Sequence, residues 1–401
     1  MTGKELIMRK QRWISLIALL AVLLALAGCR NTPAATATPS LPAQTVQAAV
    51  SELQSVLADR MDGVNGKDQA LYLSTVLPGD GVLMKEESNL IRAAGALDIR
   101  DYTISAADVT TTADGFTARL TQSYTLDGEE HACGYEAAFK TEGGKLYYCG
   151  PAFQLDEAER VKVWFTVQNA ALAQQLLEAE TAVLAGMKEH LGFVPNGFIS
   201  IKLYDNQQVF LQSVKLDLPN WVGGWHEYGE SIKSFTGAYG TEAALYKPML
   251  NHETTHRMVS ELSNDNASYW LQEGLASVFQ NWLDDTASPF LTETELTGQY
   301  TPFAEHKIIN LEQLDADDGG AVGLYYASSK AYAAFLLDRF GWDKMREALE
   351  YMKKFELIPV TGAEKLDEAN TRTDEEIKTV FGFDTDGAFQ VAFDEWRKSK
   401  S

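Results

Sequence analysis

The chain has 401 residues, room for two domains, and its 45% apolar and 10% aromatic content allows sizeable cores. Its formal charge of −22 argues against nucleic acid as a partner, because a surface this acidic repels a phosphate backbone. The charge reads instead as the solvated surface of a globular protein.

Residues 1–29 do not belong to the fold. Lys4, Arg9, Lys10 and Arg12 make a positive start, Ile14 to Ala27 an apolar run, and Leu26-Ala27-Gly28-Cys29 a small-residue close, which is the pattern of a signal peptide. The run is short for a membrane span. The closing tetrad resembles the lipobox of bacterial lipoproteins. That resemblance implies cleavage before Cys29, lipid attachment to its sulfur, and an extracytoplasmic protein anchored to the bacterial cell membrane. An ordinary secretory signal with an incidental cysteine is the alternative. Residues 30–44, rich in Ala, Thr and Pro with no apolar period, read as a flexible tether.

Residues 45–152 open on a helix and end on strands. Val46, Val50, Leu53, Leu57 and Met61 recur at helical spacing, whereas Tyr102 to Ile104 and Gly115 to Thr125 read as strands. The order predicts a small α+β domain. By element order alone it is similar to nuclear-transport-factor-2-like folds. No catalytic set appears in it, so its expected role is to space or position an enzyme or to bind a partner. Cys133 and Cys149 flank two strand-like runs joined by Thr141-Glu142-Gly143-Gly144, and a hairpin there is expected to bring them together. In an exported chain a structural disulfide is favoured over two free thiols. His131, just outside, reads as a surface residue.

A second domain is expected over residues 153–401. Val161 to Thr166 reads as a strand, Asn169 to His190 as a long amphipathic helix closed by Gly192, and Phe198 to Tyr204 as a buried strand. His190 suits the helix C-terminus as a cap. A run dense in Gly and aromatics follows, from Trp221 to Tyr239. Within it Ser231 to Thr236 suits a short edge strand able to pair with an extended peptide, although the aromatics read equally well as core. His226 lies in this run without an assigned role.

The chemistry concentrates in His252-Glu253-Thr254-Thr255-His256 and Trp270-Leu271-Gln272-Glu273-Gly274-Leu275-Ala276. Two histidines four apart on a helix share one face, and Glu253, about 100° round, can reach a water between them without being a ligand. Pro248 suits the first turn of that helix, and Ser263-Asn264-Asp265-Asn266 ends it. A second helix from Ser268 to Trp282, folded back antiparallel, returns Glu273 to the histidines. Three ligands with an open fourth position form the catalytic rather than the structural zinc pattern.

The first motif alone turns up idly in other proteins. Together the two segments resemble the gluzincin zinc metallopeptidases, in particular the peptidase MA-like group, and at the second segment the zinc aminopeptidases. The resemblance implies an α+β zincin-like domain, Zn²⁺ held by His252, His256 and Glu273, and Glu253 as general base. Where thermolysin-like relatives carry an aspartate that orients a histidine ligand, this chain has Ser277, a weaker partner.

Farther on, Leu324 to Phe340 is a strong helix, and its segment Tyr325 to Tyr332 resembles the tyrosine-bearing helix of peptidase MA-like proteins. That implies an oxyanion donor, with Tyr326 the first choice and Tyr325 behind it; both can equally be packing residues. His306, in a polar segment, is expected to be exposed. Phe389, Phe393 and Trp396 recur at helical spacing in a closing helix.

Two function classes follow. One is a lipid-anchored zinc peptidase acting on peptide or protein substrates outside the cytoplasm. The other is a catalytically silent zinc-binding lipoprotein that binds or scaffolds a partner. An intact Glu253 favours the first, because a scaffold has no use for a base beside the metal. Endopeptidase and aminopeptidase action both stay open, since no Gly-Ala-Met-Glu-Asn type run is present to hold a substrate amine. Nothing in the sequence specifies an oligomeric state.

Overall fold

The computed structural model describes residues 43–314, 320–358 and 363–400. The signal peptide, Cys29 and all but the end of the tether lie outside the described residues. Residues 50–401 form one compact unit; of the unit before them only the opening turns of the first helix are described. Among the described residues no helix is long and apolar enough to cross a membrane.

The architecture is α+β. Helices α1 (Ala43–Asn65), α2 (Gln69–Leu73) and α3 (Gly81–Ala96) precede an antiparallel meander of β1 (Arg100–Thr111), β2 (Gly115–Leu126), β3 (Glu129–Glu142) and β4 (Lys145–Pro151). Asp68 and Asp80 cap α2 and α3 by accepting from the backbone N–H groups of Leu71 and Leu83. In β2, Ala118, Leu120, Tyr124 and Leu126 alternate onto the helices while Arg119 and Thr121 face away. The core these strands make is not purely apolar. The buried Arg60 guanidinium lies between the rings of Tyr72 and Tyr148, 4.2 and 3.9 Å from their centroids, and pairs with Glu87 at 2.7 Å. Such a charge is tolerated inside because its terminal nitrogens donate to Thr75, Tyr72 and Glu87.

The hairpin forms, but the disulfide expected between Cys133 and Cys149 does not, and both are free thiols. The turn at Gly143-Gly144 pairs Glu142 with Lys145 and Phe139 with Tyr148, which sets Cys149 beside Ala138, five residues along β3 from Cys133 and so about 17 Å away. Cys133 faces the core with Tyr135 and Ala137, whereas Cys149 alternates with core-facing Leu146 and Tyr148 and points to the other side. A disulfide tolerates a Cα separation of at most about 7 Å.

The second sheet has the order β5 (Gln154–Ala158), β6 (Val161–Phe165), β7 (Ile199–Tyr204), β9 (Ile232–Phe235), β8 (Gly224–Trp225). The parallel pair β6/β7 is joined by α4 (Ala170–Leu191), which ends at Gly192 in the left-handed region with φ 62°. The strand expected at the edge, β9, is interior: it pairs with β7 in parallel and with β8 antiparallel. The edge is the two-residue β8. Polar Lys233 and Ser234 survive inside β9 because Lys233 pairs with Glu230 and the Ser234 hydroxyl donates to the Gly223 carbonyl.

The two sheets are not independent. Beyond β7, α5 (Gln207–Val214) and the segment after it place Phe210, Leu216 and Leu218 in the core of the first sheet. The Tyr124 hydroxyl donates to the Leu216 carbonyl (2.8 Å). From the other side, Glu86 of α3 is buried against Lys202 of β7 and Lys233 of β9, and accepts from the Ser231 N–H (3.1 Å). Residue 152 is therefore a landmark in the chain that both cores cross.

On the second core lie α6 (Lys247–Ser263) and α7 (Tyr269–Trp282), an antiparallel pair, with α8 (Ala321–Phe340) packed on α7. Asn264, left-handed with φ 55°, stops α6 and turns the chain. Gly274 allows α7 and α8 to touch, since a Cβ there would lie 2.4 Å from the Ser329 carbonyl oxygen. Helices α9 (Trp342–Tyr351), α10 (Ala363–Glu376) and α11 (Asp386–Lys400) close the unit, with Phe389 and Phe393 fully buried.

Candidate metal centre

The α6 spacing brings the rings of His252 and His256 to 4.8 Å between centroids. Glu273, in the first turns of α7, meets them across the helix pair. Its Oε2 is 3.2 Å from His252 Nε2 and 3.6 Å from His256 Nε2. Ligand atoms of the three residues all lie within 4.8 Å of one another, the one such group of three His, Cys or acidic residues among the described residues.

The far side of each ring explains why these nitrogens are available. His252 Nδ1 lies 3.2 Å from Gln280 Oε1, and His256 Nδ1 lies 3.3 Å from Gln272 Oε1. A carboxamide oxygen only accepts, so each Nδ1 carries the hydrogen and each Nε2 turns its lone pair inward. The Gln272 amide is itself held, donating to the Ser260 hydroxyl (3.2 Å), which donates to Asp265 (2.9 Å), which accepts from Lys365 (2.6 Å).

The residues fit a divalent cation. Glu273 Oε2 is buried without a hydrogen-bond donor and faces two inward lone pairs, an arrangement that is repulsive without positive charge at its centre. In the metal-free chain a proton supplies that charge. Burial works against protonating His256, but the Glu273 carboxylate outweighs it and holds the imidazole up to about 9. Burial likewise opposes ionisation of Glu273, yet the charge of His256 beside it holds its carboxyl well below the usual range.

Glu253 is buried beside this group, and burial raises its carboxyl despite the opposing pull of His252 and His256. It packs on the edge strand, where a Cβ at Gly224 would lie 2.9 Å from Glu253 Oε1. Glycine at 224 thus leaves room for the carboxylate against the strand backbone. Of the two tyrosines, Tyr326 lines the cavity with its ring 6.3 Å from that of His252, while Tyr325 is buried behind it against His306. The cavity measures about 830 Å³, and its walls carry His252, Glu253, Glu273 and Tyr326 together with Trp221 and Trp225.

The other candidates divide. His226 lines the cavity, and burial together with the charge of His256 pushes its imidazole down. His190 lies in the last turn of α4, against the Trp282 ring. His306, expected to be exposed, is fully buried: it ends a short helix, Phe303–His306, and its Nε2 meets the Ser329 hydroxyl at 2.9 Å. Burial pushes it down to about 4. Ser277 lines the cavity, but Gln280 is the residue at the His252 ring. The signal for Gln280 was present, since it falls two turns beyond Glu273 on the same face of α7.

No family model matches the chain, and no curated protein matches it. Solved structures do. They include a mutant M1 zinc metallopeptidase from Deinococcus radiodurans and a mutant two-domain M1 zinc metallopeptidase bound to L-arginine. Each has 14% sequence identity and a TM-score of 0.34, and each match covers 73% of this chain and 61% of the other. This is a distant structural similarity, and the chain spans about three-fifths of the length of those proteins.

Proposed function

We propose that the chain is an extracytoplasmic, lipid-anchored zinc metallopeptidase that hydrolyses peptide bonds. The observation that carries the proposal is the convergence of His252 Nε2, His256 Nε2 and Glu273 Oε2 within 4.8 Å, beside a buried glutamate that has no part in holding them. Zinc bound there would supply Lewis acidity, which makes water nucleophilic near neutral pH. Every other role falls to the chain. Glu253, raised by burial, takes the proton of the attacking water and delivers it to the leaving amine. Tyr326, with a phenol that burial keeps protonated, donates to the oxygen that gains charge as the carbonyl carbon becomes tetrahedral. Gln272 and Gln280 hold the imidazoles in the tautomer that the ligand set needs. The exposed backbone of β8 offers an extended peptide a strand to pair with beside Glu253. The lipid anchor at Cys29 rests on the sequence signal alone.

The test is cleavage of a mixed peptide library by residues 30–401 beside Glu253→Gln, which keeps all three ligands. Cleavage by the wild type alone supports the proposal. Zinc bound by both proteins with cleavage by neither sinks it in favour of a partner-binding lipoprotein.

A further inference from the structure

The acids of α3 all turn away from the cavity. Glu86 is buried against Lys202 and Lys233, and Glu87 against Arg60. Its cations do the opposite. Lys85 and Arg92, seven residues apart and so on one face two turns apart, line the cavity that holds His252, Glu253 and Glu273. Arg92 donates to the neutral amide oxygen of Asn89 (2.6 Å), and neither cation forms an ion pair among the described residues. Carboxylates are in surplus in a chain of formal charge −22, yet neither of these two cavity-lining cations is paired with one among the described residues. The acids nearest them are held by other groups: Asp217 stands 3.8 Å from Lys215, and Glu227 (2.9 Å) and Glu230 (2.5 Å) accept from Asn89, which stands between the two cations on α3. The wall is also fixed in place, because the buried Glu86 cluster ties α3 to β7 and β9.

We propose that this wall reads a carboxylate on the substrate, so that the preferred substrates are acidic peptides. An Asp or Glu side chain away from the scissile bond lies between Lys85 and Arg92, with the guanidinium able to take both of its oxygens. The inference rests on the peptidase reading and adds the substrate class to it.

Binding and cleavage separate the two claims. Matched fluorescent peptides, identical but for Glu or Gln at one position in turn, are titrated against zinc-loaded Glu253→Gln protein and offered to the wild type for cleavage. The Glu member should bind about tenfold more tightly at one or two positions, and the preference should fade as salt rises. In Lys85→Glu and Arg92→Glu proteins the preference should vanish or invert while affinity for the Gln member holds. Because the readout is a ratio within one protein, a general loss of stability does not mimic it. Equal affinity for both members at every position, or a variant that loses both alike, overturns the proposal. Cleavage without preference leaves the peptidase reading and removes this one; preference without cleavage does the reverse.

Discussion

Gln280 Oε1 stands 3.2 Å from His252 Nδ1, at the position where a carboxylate is the commoner partner of a metal-binding imidazole. A neutral acceptor fixes the same tautomer but feeds less negative charge into the ring. Gln280→Leu should weaken zinc binding by about 10–100-fold, and Gln280→Glu should tighten it. Competition with a chromophoric chelator measures both, and equal affinities in all three proteins would remove Gln280 from the site.

Glu253→Gln should lower kcat by a factor of about 10²–10⁴ with zinc stoichiometry unchanged. Loss of zinc along with activity would make the residue a ligand rather than a base.

Tyr326→Phe removes one donor and little volume. The expected loss is about 10²-fold in kcat with KM nearly constant, whereas Tyr325→Phe, behind it in the core, should leave kcat within a few-fold. The reverse ranking would reassign the phenol.

Glu180 is buried beneath α6, accepting from the Thr254 hydroxyl (2.8 Å), and burial pushes its carboxyl up from 4.5 to about 8. Between those pH values the folded chain keeps a proton that the unfolded chain releases, so folding stability falls as pH rises through the window. Glu180→Gln should flatten that fall, gaining on the wild type by on the order of 1–3 kcal/mol between pH 5 and pH 8 in urea unfolding. Parallel curves for the two proteins would count against a neutral buried acid.

Reductant should leave the melting temperature of residues 30–401 unchanged, and two thiols should titrate on denaturation without it. A single disulfide found by mass spectrometry would contradict the strand register.

What the sequence made legible was local. The four-residue step from His252 to His256, with Pro248 in the first turn of α6 and Asn264 at its end, is a short-range signal that tertiary packing had no reason to override. The misreadings arose where distant partners decide. His306 sits among polar neighbours, yet Ser329, from another helix, meets its Nε2 in the core. Cys133 and Cys149 misled for a different reason: they lie ten and five residues from the turn at Gly143-Gly144, so a regular hairpin about that turn does not set them opposite one another. The edge strand is two residues long, too short for any periodicity to announce. Gln272 and Gln280 look like ordinary solvated positions until the rings they face are known.

Glu86 and Lys202 are separated by 116 residues in the chain, and Lys233 lies farther still. Either lysine follows the acid at a long distance in the chain, so α3 cannot settle into its final place until the second sheet has formed beside it. Contacts this distant in sequence slow folding. Until they form, the front of the protein holds an uncompensated carboxylate that burial disfavours. The buried cluster thereby makes the completion of the second sheet a condition for the completion of the cavity, because α3 supplies one of the cavity's walls.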